Sequence, residues 1–239
     1  MGQMCYCGFT DIYYMEDKVR IIEIKKSVFA ANEKTADELR EELKQKGVFL
    51  LNVMSSPGSG KTTTLVELIN ALKDKIKIAV MEADIDSDVD ALTVAHKTGV
   101  QSIQLHTGGM CHLDAEMTSQ GLNGLANLDD LDLVILENVG NLVCPAEFDT
   151  GAVTSLTILS VPEGDDKPLK YPLMYQVCSL VVINKIDVLP YFTFDVNKCK
   201  ENIRMRNPNA EVIEISALKK EGIDKLANWV MKQLENYKK

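Results

Sequence analysis

Three groups of residues in this 239-residue chain have the types and spacing to do chemistry. The first is Ser55-Ser56-Pro57-Gly58-Ser59-Gly60-Lys61-Thr62, preceded by the apolar run 48–54 and followed by a helical pattern over 61–73. Strand, glycine-rich loop, Lys-Thr and helix is the layout that cradles phosphate groups. Gly58 and Gly60 let the backbone turn its N–H groups onto phosphate oxygens, and the positive end of the helix dipole adds to the attraction. Pro57, Ser59 and Thr63 complete the expected phosphate-binding stretch. Lys61 can reach the β- and γ-phosphates, and the Thr62 hydroxyl can ligate Mg²⁺. Ser55 stands where G-x-x-x-x-G-K-T has its first glycine.

The second group would read a base and place a cation. Asn184-Lys185-Ile186-Asp187 directly follows an apolar strand-like run, so it sits where a parallel sheet binds ligands. A carboxylate at Asp187 can accept two hydrogen bonds from guanine, whereas adenine offers no such donor pair and would leave the oxygens unpaired. Ser216-Ala217, after the run 212–215, fits a second guanine-contacting loop. Leu131 to Glu137 reads as a buried strand ending in a carboxylate, and Glu137-Asn138-Val139-Gly140 as a loop that senses the γ-phosphate. Glu137 would hold Mg²⁺ through water or orient the attacking water. A second acidic stretch, Met81 to Asp86, offers Asp84 as the other Mg²⁺-side carboxylate, with Asp86 as its competitor. Lys61, Asp84 and Glu137 are therefore the expected catalytic residues.

The third group is soft. Cys111-His112 is expected to open a helix over 112–127, and Cys144 lies just beyond the γ-phosphate loop. Thiolate and imidazole suit Zn²⁺ or Ni²⁺ rather than Mg²⁺. Three such ligands leave room for water or for ligands from a second subunit across a two-fold axis. Cys5 and Cys7 form a weaker candidate pair near the N-terminus. Cys178 and Cys199 read as packing residues, His96 as a helix-face residue and His106 as a remote candidate ligand.

These residues need a scaffold that brings distant segments to one edge. From Gly47 onward strand-like runs alternate with helical patterns, which predicts α/β architecture with a mostly parallel sheet and helices on both faces. Asn32 to Lys46 reads as a helix capped by Asn32 and stopped by Gly47. Residues 163–168 read as a loop. Residues 1–26 read as irregular, with 21–25 as a short strand or extended arm; the expected division is an N-terminal arm, 1–30, and a P-loop domain, 31–239.

Composition narrows the partners. A net charge of −9 argues against nucleic acid and anionic membranes. No apolar run approaches a membrane span, and the N-terminus lacks a secretory pattern. Six cysteines in such a chain read as thiols, and a cytoplasmic location is the expectation.

The motifs converge on one family. The chain, from about residue 27, resembles the hydrogenase nickel-incorporation GTPases, relatives of the urease accessory GTPase, through four stretches: Leu51 to Thr62, Cys111 to Ala115, Glu137 to Pro145 and Asn184 to Asp187. Ser55 is usual in that family. The resemblance implies a dimerising P-loop GTPase that uses GTP, Mg²⁺ and Ni²⁺ or Zn²⁺. It implies GTP-promoted homodimers with a metal site at their interface built from Cys111, His112 and Cys144. It also implies delivery of nickel to the large subunit of a nickel-iron hydrogenase, with a small zinc-binding partner protein and a nickel-storing chaperone. Many members carry an N-terminal C-x-x-C-G-C motif or a His-rich tract. This chain has Cys5-Tyr6-Cys7-Gly8 and three histidines in all, which excludes storage of many nickel ions. The rival readings are a nickel donor for another enzyme such as urease, a P-loop kinase of a small molecule, and a metal-binding module without hydrolysis.

Overall fold

The computed structural model describes residues 12–14, 20–22, 24–84 and 89–239, with side chains from Phe29 onward. Cys5, Cys7 and Asp86 lie outside the described residues. The described residues begin with a two-stranded antiparallel ribbon, β1 (Ile12–Tyr14) and β2 (Arg20–Ile22), and a long helix, α1 (Ile24–Lys46). The helix therefore starts eight residues before Asn32, which is no N-cap. The expected division at residue 30 falls inside it. Gly47 ends it as expected, in the left-handed region at φ 71°, where glycine bears no Cβ penalty.

The rest alternates: β3 (Phe49–Ser55), α2 (Lys61–Leu72), β4 (Ile78–Asp84), α3 (Val89–Thr98), β5 (Gln101–His106), α4 (Ala115–Asn123), β6 (Leu133–Glu137), the single-turn α5 (Cys144–Glu147) and β7 (Thr154–Ser160). Two short helices follow, α6 (Lys167–Lys170) and α7 (Pro172–Gln176), then β8 (Leu180–Asn184), α8 (Val196–Arg206), β9 (Glu211–Glu214) and α9 (Ile223–Tyr237). Two expected boundaries move. The stretch 112–127 contributes a helix only over 115–123, because Asp114 is the cap and accepts from Met117 N. The loop expected over 163–168 already enters α6 at Lys167.

Strands β3 to β9 form one sheet in the order β5-β4-β6-β3-β7-β8-β9, and every pairing within it is parallel. The two-residue period of β3 sorts its side chains onto opposite faces. Phe49, Leu51 and Val53 join the core made with α2, α3 and α9. Leu50 joins α1 and α4 on the other face, and Met54 joins α7 and α8. Burial on both faces explains the near-continuous apolar runs. Because β3 is central, the loop at its C-terminal end meets the loops after β4, β6 and β8.

Candidate functional site: a phosphate loop beside a cysteine–histidine cluster

The glycine-rich loop leaves β3 at Ser55 and enters α2 at Lys61. Gly60 takes φ 95°, and a Cβ there would stand 2.6 Å from Asn184 Nδ2. That approach has a use: Asn184 Nδ2 donates to Ser59 O at 2.9 Å, while Asn184 Oδ1 accepts from Lys185 N at 2.7 Å and Ala217 N at 3.2 Å. Asn184 is 1% exposed. Its amide thus joins three loops to one another. Lys185, at φ 63°, adds a bond from Nζ to Gly58 O at 2.7 Å. Ser216 Oγ donates to Asp187 Oδ1 at 2.5 Å and accepts from Lys219 N, which fixes the carboxylate.

Ser55 is buried, and Ser59 Oγ donates to Ser55 Oγ at 2.7 Å, while Ser55 Oγ donates to Ser56 O. The Ser56 hydroxyl donates to Glu163, which also accepts from Ser160 N and Oγ at 2.8 Å each. Serine in place of the first glycine therefore adds hydroxyl bonds that hold the loop's base.

Pro57, Gly58, Gly60, Lys61, Thr62 and Thr63 line a cleft of about 570 Å³ with Asp84, Asp90, Glu137 and Gly140. Gly140 is confined as well, since a Cβ there would lie 3.2–3.3 Å from Pro57. Glu137 is 2% exposed; its Oε1 lies 3.9 Å from Lys61 Nζ and 3.4 Å from Thr62 Oγ1. Glu82, 3% exposed, is its register partner across β4 and β6. Carboxylate oxygens of Glu82, Asp90 and Glu137 lie within 4.8 Å of one another. Burial, and then the Glu137 charge, push the Glu82 carboxyl up to about 11. Burial raises Glu137 too, against the opposing effects of Glu82 and Lys61. Glu82 Oε2 and Glu137 Oε2 have no hydrogen-bond partner. An oxygen-only set of this kind, with buried acceptors to spare, fits a hard divalent cation such as Mg²⁺. The sequence pointed to Asp84 and Asp86 here. Asp84 does line the cleft, but Glu82 and Asp90 are the acids grouped with Glu137.

The three soft side chains, Cys111, His112 and Cys144, lie together. Cys111 Sγ lies 2.8 Å from Cys144 Sγ and 4.0 Å from His112 Nδ1, and among the described residues these three form the one Cys/His cluster. His106 is exposed at the end of β5, and His96 is exposed on α3. Cys178 and Cys199 are buried packing residues; burial raises both thiols, Cys199 to about 12. Burial lowers His112, against Asp114 and Glu147, which favours the neutral ring that binds metals. The hydrogen bond with Cys111, then burial, raise the Cys144 thiol. No helix among the described residues is long and apolar enough to cross a membrane.

A parallel sheet whose central strand feeds a Gly-Ser-Gly-Lys-Thr loop, with Glu137 at the end of the adjacent β6 and Asn184 to Asp187 after β8, two strands away on the other side, defines a P-loop nucleotide-binding protein. The family described as CobW/HypB/UreG, nucleotide-binding domain, matches residues 48–214. The hydrogenase maturation factor HypB of Escherichia coli K12 is 45% identical over 214 residues, 90% of this chain and 73% of that protein. The hydrogenase/urease maturation factor HypB of Helicobacter hepaticus is 40% identical, covering 90% of each. The crystal structure of HypB from Helicobacter pylori in complex with nickel superposes with a TM-score of 0.80 at 38% identity, over 87% of this chain and 98% of that one. The chain belongs to the CobW/HypB/UreG family, and within it to the HypB group.

Proposed function

We propose that this protein is a GTP-hydrolysing metallochaperone that delivers nickel during maturation of nickel-iron hydrogenase. The observation that carries the reading is one shared loop. Glu137 and Gly140 line the phosphate cleft, and seven residues after Glu137 the same segment supplies Cys144, in contact with Cys111. Occupancy of the cleft can therefore reach the metal ligands through a few residues of backbone. The relatives' names support the hydrogenase role, and the nickel-bound H. pylori relative supports nickel as cargo. The H. hepaticus relative, named for urease as well, keeps a second client in view.

Gly58, Ser59 and Gly60 present backbone N–H groups to the phosphates, and Pro57, Thr63 and Gly140 shape the same cleft. Lys61 neutralises charge on the β- and γ-phosphates. Asp187, fixed by Ser216, accepts from guanine, with Asn184, Lys185 and Ala217 holding the base-side loops in place. Thr62, Glu137 and Asp84 are the proposed Mg²⁺ residues, joined by Glu82 and Asp90 on the geometry above. Bound Mg²⁺ would neutralise charge on the β- and γ-oxygens. Glu137 orients the attacking water. Cys111, His112 and Cys144 hold nickel or zinc, with a second copy completing the shell in a GTP-bound homodimer. Loss of the γ-phosphate contact at Glu137–Gly140 would loosen Cys144 and release the metal, an order–disorder switch. A zinc-binding insertion partner and the hydrogenase large subunit are the proposed recipients in a cytoplasmic pathway.

The test is equilibrium Ni²⁺ and Zn²⁺ binding to the full chain with a non-hydrolysable GTP analogue or GDP, while subunit mass is followed. Tighter metal binding and doubled mass with the analogue are expected. Equal metal binding and mass with either nucleotide would overturn the coupling.

A further inference from the structure

Helix α1 is tied to both loops that bring the soft ligands together. Asn32 Oδ1 accepts from Ala115 N at 2.9 Å, three residues after His112. Asn32 Nδ2 donates to Asp149 O at 2.8 Å, five residues after Cys144. Arg40 Nη1 lies 2.9 Å from each carboxylate oxygen of Asp149, and Asp149 Oδ1 also accepts from Gly151 N at 2.8 Å. Phe148, beside these anchors, stacks on His112 with ring centroids 3.8 Å apart and planes 17° apart. It also packs against Phe29 of α1, centroids 4.9 Å apart.

A cysteine followed directly by a histidine has no intrinsic geometry for binding a cation. The imidazole can rotate about two torsions, and each rotation changes which nitrogen faces the sulfurs. A flat ring lying against it removes that freedom before the metal arrives, so less order must be gained on binding. An aliphatic side chain could fill the same volume without fixing a plane. Groups outside the ligand set commonly orient ligating histidines, usually through hydrogen bonds to the second ring nitrogen; here the neighbour is a ring face.

We propose that Phe148 is a positioning residue for His112, and that α1, through Asn32 and Arg40, clamps the 111–115 and 144–149 segments so that three donors from two loops face one cation. The inference rests on Cys111, His112 and Cys144 being metal ligands. The clamp adds helix α1, far away in sequence, to the elements that set metal affinity.

The test is equilibrium binding of Co²⁺ and Ni²⁺ to the full chain, read by thiolate charge-transfer and ligand-field absorption, for the parent, F148L and F148Y. F148L keeps apolar volume and loses the flat face, whereas F148Y keeps the ring. F148L is expected to weaken binding by about two- to tenfold, the range of an aromatic pair, and to alter the Co²⁺ bands. F148Y should restore both. F148L with parental affinity and bands, or F148Y as impaired as F148L, would overturn the proposal. N32D, which keeps the acceptor for Ala115 N and loses the donor to Asp149, serves if F148L does not fold. It should shift the Co²⁺ bands, and unchanged bands would overturn the clamp. If the parent binds neither ion, the ligand reading itself falls, an outcome distinct from a parent that binds and variants that match it.

Discussion

Glu82 and Glu137 face each other across β4 and β6, and burial leaves the pair ill-suited to carry two charges without a cation. The folded-state carboxyl of Glu82 lies far above its ordinary value of 4.5, at about 11. Its contribution to stability is therefore full below pH 4.5 and falls as pH rises toward 11, because the unfolded chain releases the proton first. E82Q, which cannot ionise, should flatten that decline. Thermal unfolding of the nucleotide-free protein in EDTA should show E82Q more stable than the parent by up to about 5 kcal/mol at pH 8 and nearly equal at pH 4. A constant difference across that range would count against the pair. At the base-binding end, D187N swaps an acceptor for a donor and should weaken GTP by about 10²-fold. Xanthosine triphosphate, which offers an acceptor where guanine has its amine, should bind D187N better than it binds the parent. The residue scale also shows what spacing could and could not reveal. Lys61, Thr62 and Asp187 announce themselves through local motifs. Glu82 does not, because its pairing depends on strand register, which the 82–86 stretch alone leaves open.

The elements were legible where their signals are local. Alternating apolar runs and helical patterns anticipated β3 to β9 and α2, α3, α8 and α9, because a doubly covered parallel sheet writes itself as apolar strands between amphipathic helices. Two helix starts differ from expectation for different reasons. Asn32 is a cap-type residue that spends its amide on Ala115 and Asp149, whereas the helix expected to open at His112 starts only after Asp114, its cap. Cap chemistry and tertiary bridging use the same side-chain atoms, so type alone cannot separate them. The clearest element-level test is G60A. It places a methyl group 2.6 Å from Asn184 Nδ2 at φ 95° and must displace the tether between β8 and the phosphate loop. A loss of about 1–3 kcal/mol in urea unfolding is expected, with GTP binding weakened more strongly than that. G60A with parental GTP affinity would show that the Asn184 tether does not shape the loop.

At the scale of the whole molecule, the cleft and the cysteine cluster lie at the same edge of the sheet and share the segment from Glu137 to Cys144. Coupling between two such sites is reciprocal, on the order of 1–3 kcal/mol, or about 5- to 150-fold in affinity. Nickel should therefore tighten binding of the GTP analogue by the factor through which the analogue tightens nickel. C144A should remove both effects while leaving analogue affinity without metal near that of the parent; titration calorimetry in each order measures all four values. Coupling that persists in C144A would place the link elsewhere. The position of β3 has a consequence for the life of the chain before it is complete. Phe49 pairs with Leu133 and Leu51 with Thr154, and the loop's base waits for Asn184. The strand that leads into the phosphate loop thus emerges early from the ribosome, and the partners that enclose it emerge late. Long-range parallel pairing of this kind is slow to form, since chain closure precedes any reward. A nascent chain therefore displays the Gly-Ser-Gly-Lys-Thr sequence well before Asn184 has been made, and the base of the loop is assembled only after that residue emerges.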